Sequence, residues 1–348
     1  MRRALIPLAA ALLCGQAAFA QETAEPAKAA EPVVGPRPAL TAPKASQARM
    51  LDIAVAGKNA VAIGEEGVIL RSSDGKTWTQ SPSPVNEMLT RVRFSDDKHG
   101  WVLGYAGSML QTDDGGASWK LRHYDADEHA IYDVLFLDEQ HGIAVGGYGT
   151  VLETRDGGAS WAPGAKDLSD QRLHLNAIVK LGDGSILVVG EHGLLARSTD
   201  AGASWKALDT PYIGSFFGAL PQGDKGVLVY GMRGNVFASN DVGACPSQDI
   251  AKWDPEKDQT VEDPAKLAKL GWQKIENPSH ESLFGTMQMK NSRIFFGING
   301  TVLQQNNNEG ALTPVKTPAV ETLVHGVIFN NRVIAVGRQG IQDLGRVP

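Results

Sequence analysis

Four aspartates stand in nearly the same surroundings. Asp74, Asp114, Asp156 and Asp200 are each followed within two residues by a glycine, and four or five residues on by Trp78, Trp119, Trp161 or Trp205. Carboxylates in pairs do general acid–base work, as in glycoside cleavage. A carboxylate that recurs in the setting Ser/Thr-x-Asp-x-Gly-x-Ser/Thr-Trp has a more local use. It accepts hydrogen bonds from the amides of its own turn, glycine takes the strained backbone position, and the indole buries against a neighbouring strand. These residues are therefore read as structural staples of an Asp-box turn. The copy at Ser73 to Trp78 is one residue shorter than the other three.

A second set of polar residues emerges once the repeat behind the turns is aligned. A G-x-x-G turn occurs at Gly64, Gly104, Gly146, Gly190, Gly231, Gly297 and Gly337, at intervals of 40, 42, 44, 41, 66 and 40 residues. A period near 40 fits one four-stranded blade, and an apolar run on either side of each turn reads as a hairpin. With 39 glycines and frequent turn signals, the chain is expected to be all-β: a seven-bladed β-propeller of four-stranded blades with Asp-box turns. The long interval holds an insertion at 246–271, in which Asp263-Pro264 caps a short helix over 265–270. The insertion is expected on the Asp-box face. The last repeat lacks an outer strand, and residues 32–50 are available to supply it and close the ring.

Aligning the innermost strands gives the column Asp52, Arg91, Asp133, Asn176, Gly218, Gly285 and His325, between apolar neighbours. Strand alternation would set its polar members around the central channel, as a binding ring. The G-x-x-G turns would share the opposite face from the Asp boxes. They carry Tyr105, Tyr148, His192, Arg233 and Arg338, a mixed-charge, tyrosine-bearing surface suited to a protein partner. Partner binding is expected there, with Arg233, Arg338, Tyr105 and Tyr148 as anchors.

Residues 1–20 read as a cleavable signal peptide: Arg2 and Arg3, an apolar run to Leu13, then Ala18-Phe19-Ala20 before Gln21. Export to a periplasm, the outside or an equivalent lumen follows, with no membrane span after cleavage. Residues 21–46, rich in Ala and Pro, read as a flexible leader before a propeller over 47–348. A formal charge of −6 offers no basic field for nucleic acid. No zinc motif, P-loop or serine nucleophile elbow is present, so no metal, cofactor or catalytic residue is assigned. Cleavage would leave Cys245 alone, without an internal disulfide. A monomer is expected.

The repeated G-x-x-G-x-[IVL]-[IVL]-x-x-[ST]-x-D-G-G-x-[ST]-W resembles the photosystem II stability and assembly factor family, with its exported relatives in non-photosynthetic bacteria. The likeness runs from about Ala48 to Leu344, most fully in the first four copies. It implies a non-enzymatic propeller that holds an integral membrane protein or envelope complex as client. A broader similarity joins the chain to Asp-box propellers such as sialidases and xyloglucanases. A glycan-binding or sialidase-like hydrolase is thus the alternative, with Arg91 and Asp52 as fragments of its site.

Overall fold

The computed structural model describes residues 35–346. The signal-peptide reading and the first part of the leader lie outside them. Among the described residues seven antiparallel sheets follow one another along the chain. Blade 1 is typical. Its strands Met50–Ala56, Asn59–Gly64, Ile69–Ser72 and Thr79–Ser81 pair in sequence order, from the ring centre outward. The inner strands of blades 2 to 7 are Leu89–Phe94, Ile131–Phe136, Leu175–Lys180, Phe216–Gln222, Leu283–Gln288 and Leu323–Phe329. The fold is a seven-bladed β-propeller.

The second strands are mainly apolar, for example Ile186–Gly190, which is buried throughout. It lies between two sheets and so shows no polar face. The cores are the seams between blades: Val61, Ile63 and Ile69 of blade 1 pack with Val92, Val102 and Trp119 of blade 2. The last seam joins blade 7 to blade 1, where Phe329, Ile334 and Val336 meet Met50, Ile53 and Ala62.

Two sheets depart from four strands. Among the described residues blade 7 has three, ending in Gly340–Arg346, and residues 35–49 do not supply a fourth. This corrects the expected closure. Pro36, Pro38 and Pro43 have no amide hydrogen to give a ladder. The segment instead bonds to blade 1, through Ala39 N to Ser83 O and Gln80 Nε2 to Leu40 O. It then turns at Ala45–Gln47 and covers Gly340. The end of the leader is thus tied to the propeller.

Blade 4 gains a fifth strand, Ser247–Asp249, from the insertion. The insertion does not lie on the Asp-box face, as the sequence suggested; it wraps the rim. Ile250 and Trp253 pack with Leu168 and Trp205. Val261 N bonds Pro211 O at 3.0 Å. The helix Pro264–Lys269 forms as expected, with Asp263 accepting from the amides of Ala265 and Lys266 at 2.8 and 3.3 Å. It buries Leu267 beside Trp272, Val242 and Cys245.

Candidate functional site

The aspartate turns are closed on themselves. In blade 2 the Thr112 hydroxyl donates to Asp114 Oδ1 at 2.8 Å, and the Ser118 amide and hydroxyl donate to its two oxygens at 2.9 and 2.6 Å. Blades 3 and 4 repeat this at Asp156 and Asp200. In the short copy the hydroxyl comes from Ser72, and the amides of Lys76 and Thr77 bond Asp74 at 2.8 and 2.7 Å. The Ser160 hydroxyl and amide hold the Asp156 carboxyl down at about 2; the Thr77 and Lys76 amides do the same for Asp74. Such carboxylates are fully engaged acceptors, poor as proton carriers. Trp119 and Trp205 are buried, and Trp78 and Trp161 are partly so.

The inner-strand column faces the channel only in part: Asp52 and Asp133 have no exposed surface, whereas the Arg91 and His325 side chains keep 18% and 20% exposure. Every inner strand starts with a bulge: Met50 pairs with Gly64, then Asp52 with Ile63, leaving Leu51 unpaired. The same shift occurs in the other six blades. The unpaired residues Leu51, Thr90, Tyr132, Asn176, Phe217, Phe284 and Val324 are half-exposed along the ring's inner wall. Asn176 therefore belongs with them, and Ala177 takes its place in the column. The sequence alignment slipped by one there: Asn176 stands fourteen residues before its turn glycine Gly190, whereas the other column residues stand twelve or thirteen before theirs.

Asp52 and Asp133 turn into the seams instead, with no exposed surface. Asp52 accepts from Ile53 N and, across the seam, from Val92 N of blade 2 at 2.9 Å. His325 of blade 7 bonds it from the other side at 2.5 Å, and its second nitrogen lies 2.9 Å from Thr286 O of blade 6. Asp133 accepts from Ile178 N of blade 4 and from both Nε and Nη2 of Arg93, each at 3.0 Å. Arg91 bonds Tyr132 O, and Asn176 bonds Phe216 O, each reaching the next blade. Burial alone would raise the Asp52 carboxyl, but His325 and Arg91 outweigh it and hold it at about 2. Asp133 likewise raises the Arg93 guanidinium. The column is a chain of staples across the blade seams. Arg93, central to it, was missed by sequence reading: it lies two residues beyond Arg91, outside the aligned column.

The G-x-x-G face carries a different arrangement. The third residue of six turns, Glu66, Ala106, Tyr148, His192, Arg233 and Asn299, has φ between 51° and 56°. The left-handed conformation is tolerated there because the following glycine lets the connection to the next blade close in: a Cβ on Gly149 would lie 2.2 Å from Ser169 O. Tyr148, His192, Arg233 and Arg338 all project to solvent, as does Tyr105 in the second position of its turn. Arg338 has one partner, Glu321 at 3.5 Å.

Around Tyr148 the side chains gather into an aromatic cluster. Its ring lies 4.5 Å from His129 and 4.7 Å from His174, and Tyr132 lies 5.8 Å from His174. Gly147 makes this possible, since a Cβ there would meet His129, His174 and the Tyr132 hydroxyl at 3.3 Å. Burial, with Tyr105, Glu191 and Tyr148 adding to it, pushes the Tyr132 phenol up to about 12. His129 and His174 lie in inter-blade connections and follow no periodic pattern in the sequence.

The family profile described as photosynthesis system II assembly factor YCF48 matches residues 72–132 and 126–244. Over those residues the chain resembles this assembly factor family. The chain is 41% identical over 61 residues to the photosystem II stability/assembly factor HCF136 of Guillardia theta, covering 16% of this chain and 15% of that protein. It is 34% identical over 155 residues to the photosystem II assembly protein Ycf48 of Thermosynechococcus vestitus, 44% of each chain. It thus spans less than half the length of the curated relatives it matches. Among solved structures it is similar to YCF48 bound to D1 peptide, with TM-score 0.59 and 15% identity over 87% of this chain and 94% of that one. YCF48 from Cyanidioschyzon merolae gives 0.60 and 16%, over 85% and 94%. At that identity the structural likeness speaks for the fold.

Proposed function

We propose that this chain is an exported assembly or stability factor that holds a segment of an unassembled membrane protein on its G-x-x-G face, without chemistry of its own. In photosynthetic relatives that client is a photosystem II subunit, as the D1-peptide complex of YCF48 indicates. Cleavage after Ala20 would deliver it to the periplasmic or lumenal side, where such segments emerge.

The observation that carries the reading is the aromatic cluster around Tyr148, with Tyr105 and Tyr148 among the few large hydrophobic side chains left exposed. Tyrosines held by packed neighbours give contact area at low entropic cost, the pattern of an interface anchor. Binding is favoured over hydrolysis because the inner-strand carboxylates Asp52 and Asp133 are buried and engaged across the seams, and the turn aspartates are engaged by their own amides.

The test is capture of clients from the native envelope by the processed protein, compared with a Tyr105→Ala/Tyr148→Ala variant. An integral membrane protein retained by the parent and lost by the variant is the expected result. Equal capture by both, or release of sugar from a glycan panel, would count against the reading.

A further inference from the structure

The seam between blades 5 and 6 is open where the seams sealed by the turns of blades 1 to 4 are closed. In blades 1 to 4 the aspartate turn packs back onto the preceding blade. A Cβ on Gly116 would meet Val61 at 2.8 Å, one on Gly158 would meet Trp101 at 2.3 Å, and one on Gly202 would meet Ile143 at 2.5 Å. The blade 6 turn holds Asn307 and Asn308 in the left-handed region, and Gly310 has nothing within 4 Å of a Cβ. A cleft of about 770 Å³ results, within the size range of small-ligand sites.

Its floor is built from an exchanged residue pair. On the second and third strands, Ala60 faces Ser72, Gly100 faces Thr112, Gly142 faces Thr154 and Ile186 faces Ser198. At the same register blade 6 has Arg293 facing Gln305. Arg293 is 5% exposed and Gln305 1%. No carboxylate lies within ion-pair distance of Arg293 among the described residues. Its Nε donates to Asn308 Oδ1 at 3.3 Å, and the Gln222 amide oxygen, turned toward it, accepts from Nη1 and Nη2 at 2.7 and 3.2 Å. Burial without a counter-charge lowers this guanidinium's pKa. Gln305 donates to Gly310 O, while its own Oε1 is buried with no partner.

A buried, uncompensated guanidinium is costly and calls for an anion; its planar donors match a carboxylate. Amides both donate and accept, as sugar hydroxyls do. We propose that the blade 5–6 cleft binds an acidic sugar, its carboxylate on Arg293 and its hydroxyls on the amides of Gln222, Gln288, Gln305 and Asn308. The site is on the opposite face from the turns that carry the proposed client, and does not rest on that reading.

Calorimetric titration of the full chain with digalacturonate, its methyl ester and acetyl-triglycine tests this. The ester keeps the hydroxyls and loses the charge; the peptide keeps the carboxylate and loses the hydroxyls. Saturable binding of digalacturonate, with the ester and the peptide both weaker by about tenfold or more, is the expected pattern, that factor being one charge-assisted bond's worth. Arg293→Gln should remove it. Asn308→Asp should remove it too while raising the melting temperature, because it supplies the missing carboxylate internally, and so keeps the test valid if R293Q folds poorly. No binding at millimolar digalacturonate, equal binding of the peptide, or binding that survives N308D would overturn the proposal.

Discussion

Blades 1 to 4 and blades 5 to 7 are built on one plan and closed by different means. In the first group an aspartate turn, a glycine and a tryptophan fill each seam, so one sequence motif does the same job four times. In the second group the motif has gone. Trp272, arriving after the insertion, takes the indole position in blade 5, with its Nε1 donating to Asp209 O at 3.2 Å. Blade 6 leaves its seam open, and blade 7 lacks an outer strand. The difference teaches that the motif is one solution to burying a seam, and that where it is absent the seam is free to be plugged, opened or differently pinned.

The largest effect should come from emptying a seam of the first group. Trp119→Ala removes a buried indole packed edge-on to Phe94 at 6.2 Å, and should cost about 3–5 kcal/mol in denaturant unfolding. An unchanged midpoint would mean that the motif does not hold the seam. In the second group the matching role falls to the insertion: Leu267→Ala should cost about 2–4 kcal/mol, as for other buried leucines. A neutral result would return the insertion to mere decoration. Deleting residues 247–270 would confound stability with binding, because the segment supplies core and a strand.

The 7–1 seam is pinned electrostatically by Asp52 and His325. The Asp52 carboxyl is depressed from 3.8 to about 2 by its partners, so its contribution is present above the unfolded value and is lost as pH falls through 4 toward 2. A shift of that size corresponds to roughly 2 kcal/mol by linkage. Asp52→Asn should flatten the acid limb of the stability profile; a limb as steep as the parent's would show that other carboxylates govern it. The smallest effect is expected on the turn face. Arg233→Ala with Arg338→Ala should change stability by less than about 0.5 kcal/mol each, as exposed turn residues do. If that pair abolishes client capture while the Tyr105/Tyr148 pair does not, the anchor lies away from the aromatic cluster.

Local chemistry was legible in the sequence wherever it repeats. The seven G-x-x-G turns, the glycine positions, the aspartate–amide bonding and the Asp263 cap all follow from neighbours within a few residues, so residue type and spacing determine them. What spans blades was not legible. The bulge that moves Asn176 onto the channel wall, the turning of Asp52 and Asp133 into seams, and the pairing of Arg93 with a carboxylate forty residues away depend on which strands become adjacent when the ring closes. The same holds for His129 and His174 beside Tyr148, and for Arg293 left without a counter-charge. A repeat encodes each blade by short-range contacts; the contents of a seam are decided only when two non-neighbouring stretches meet, and there the tertiary structure had the decision to itself.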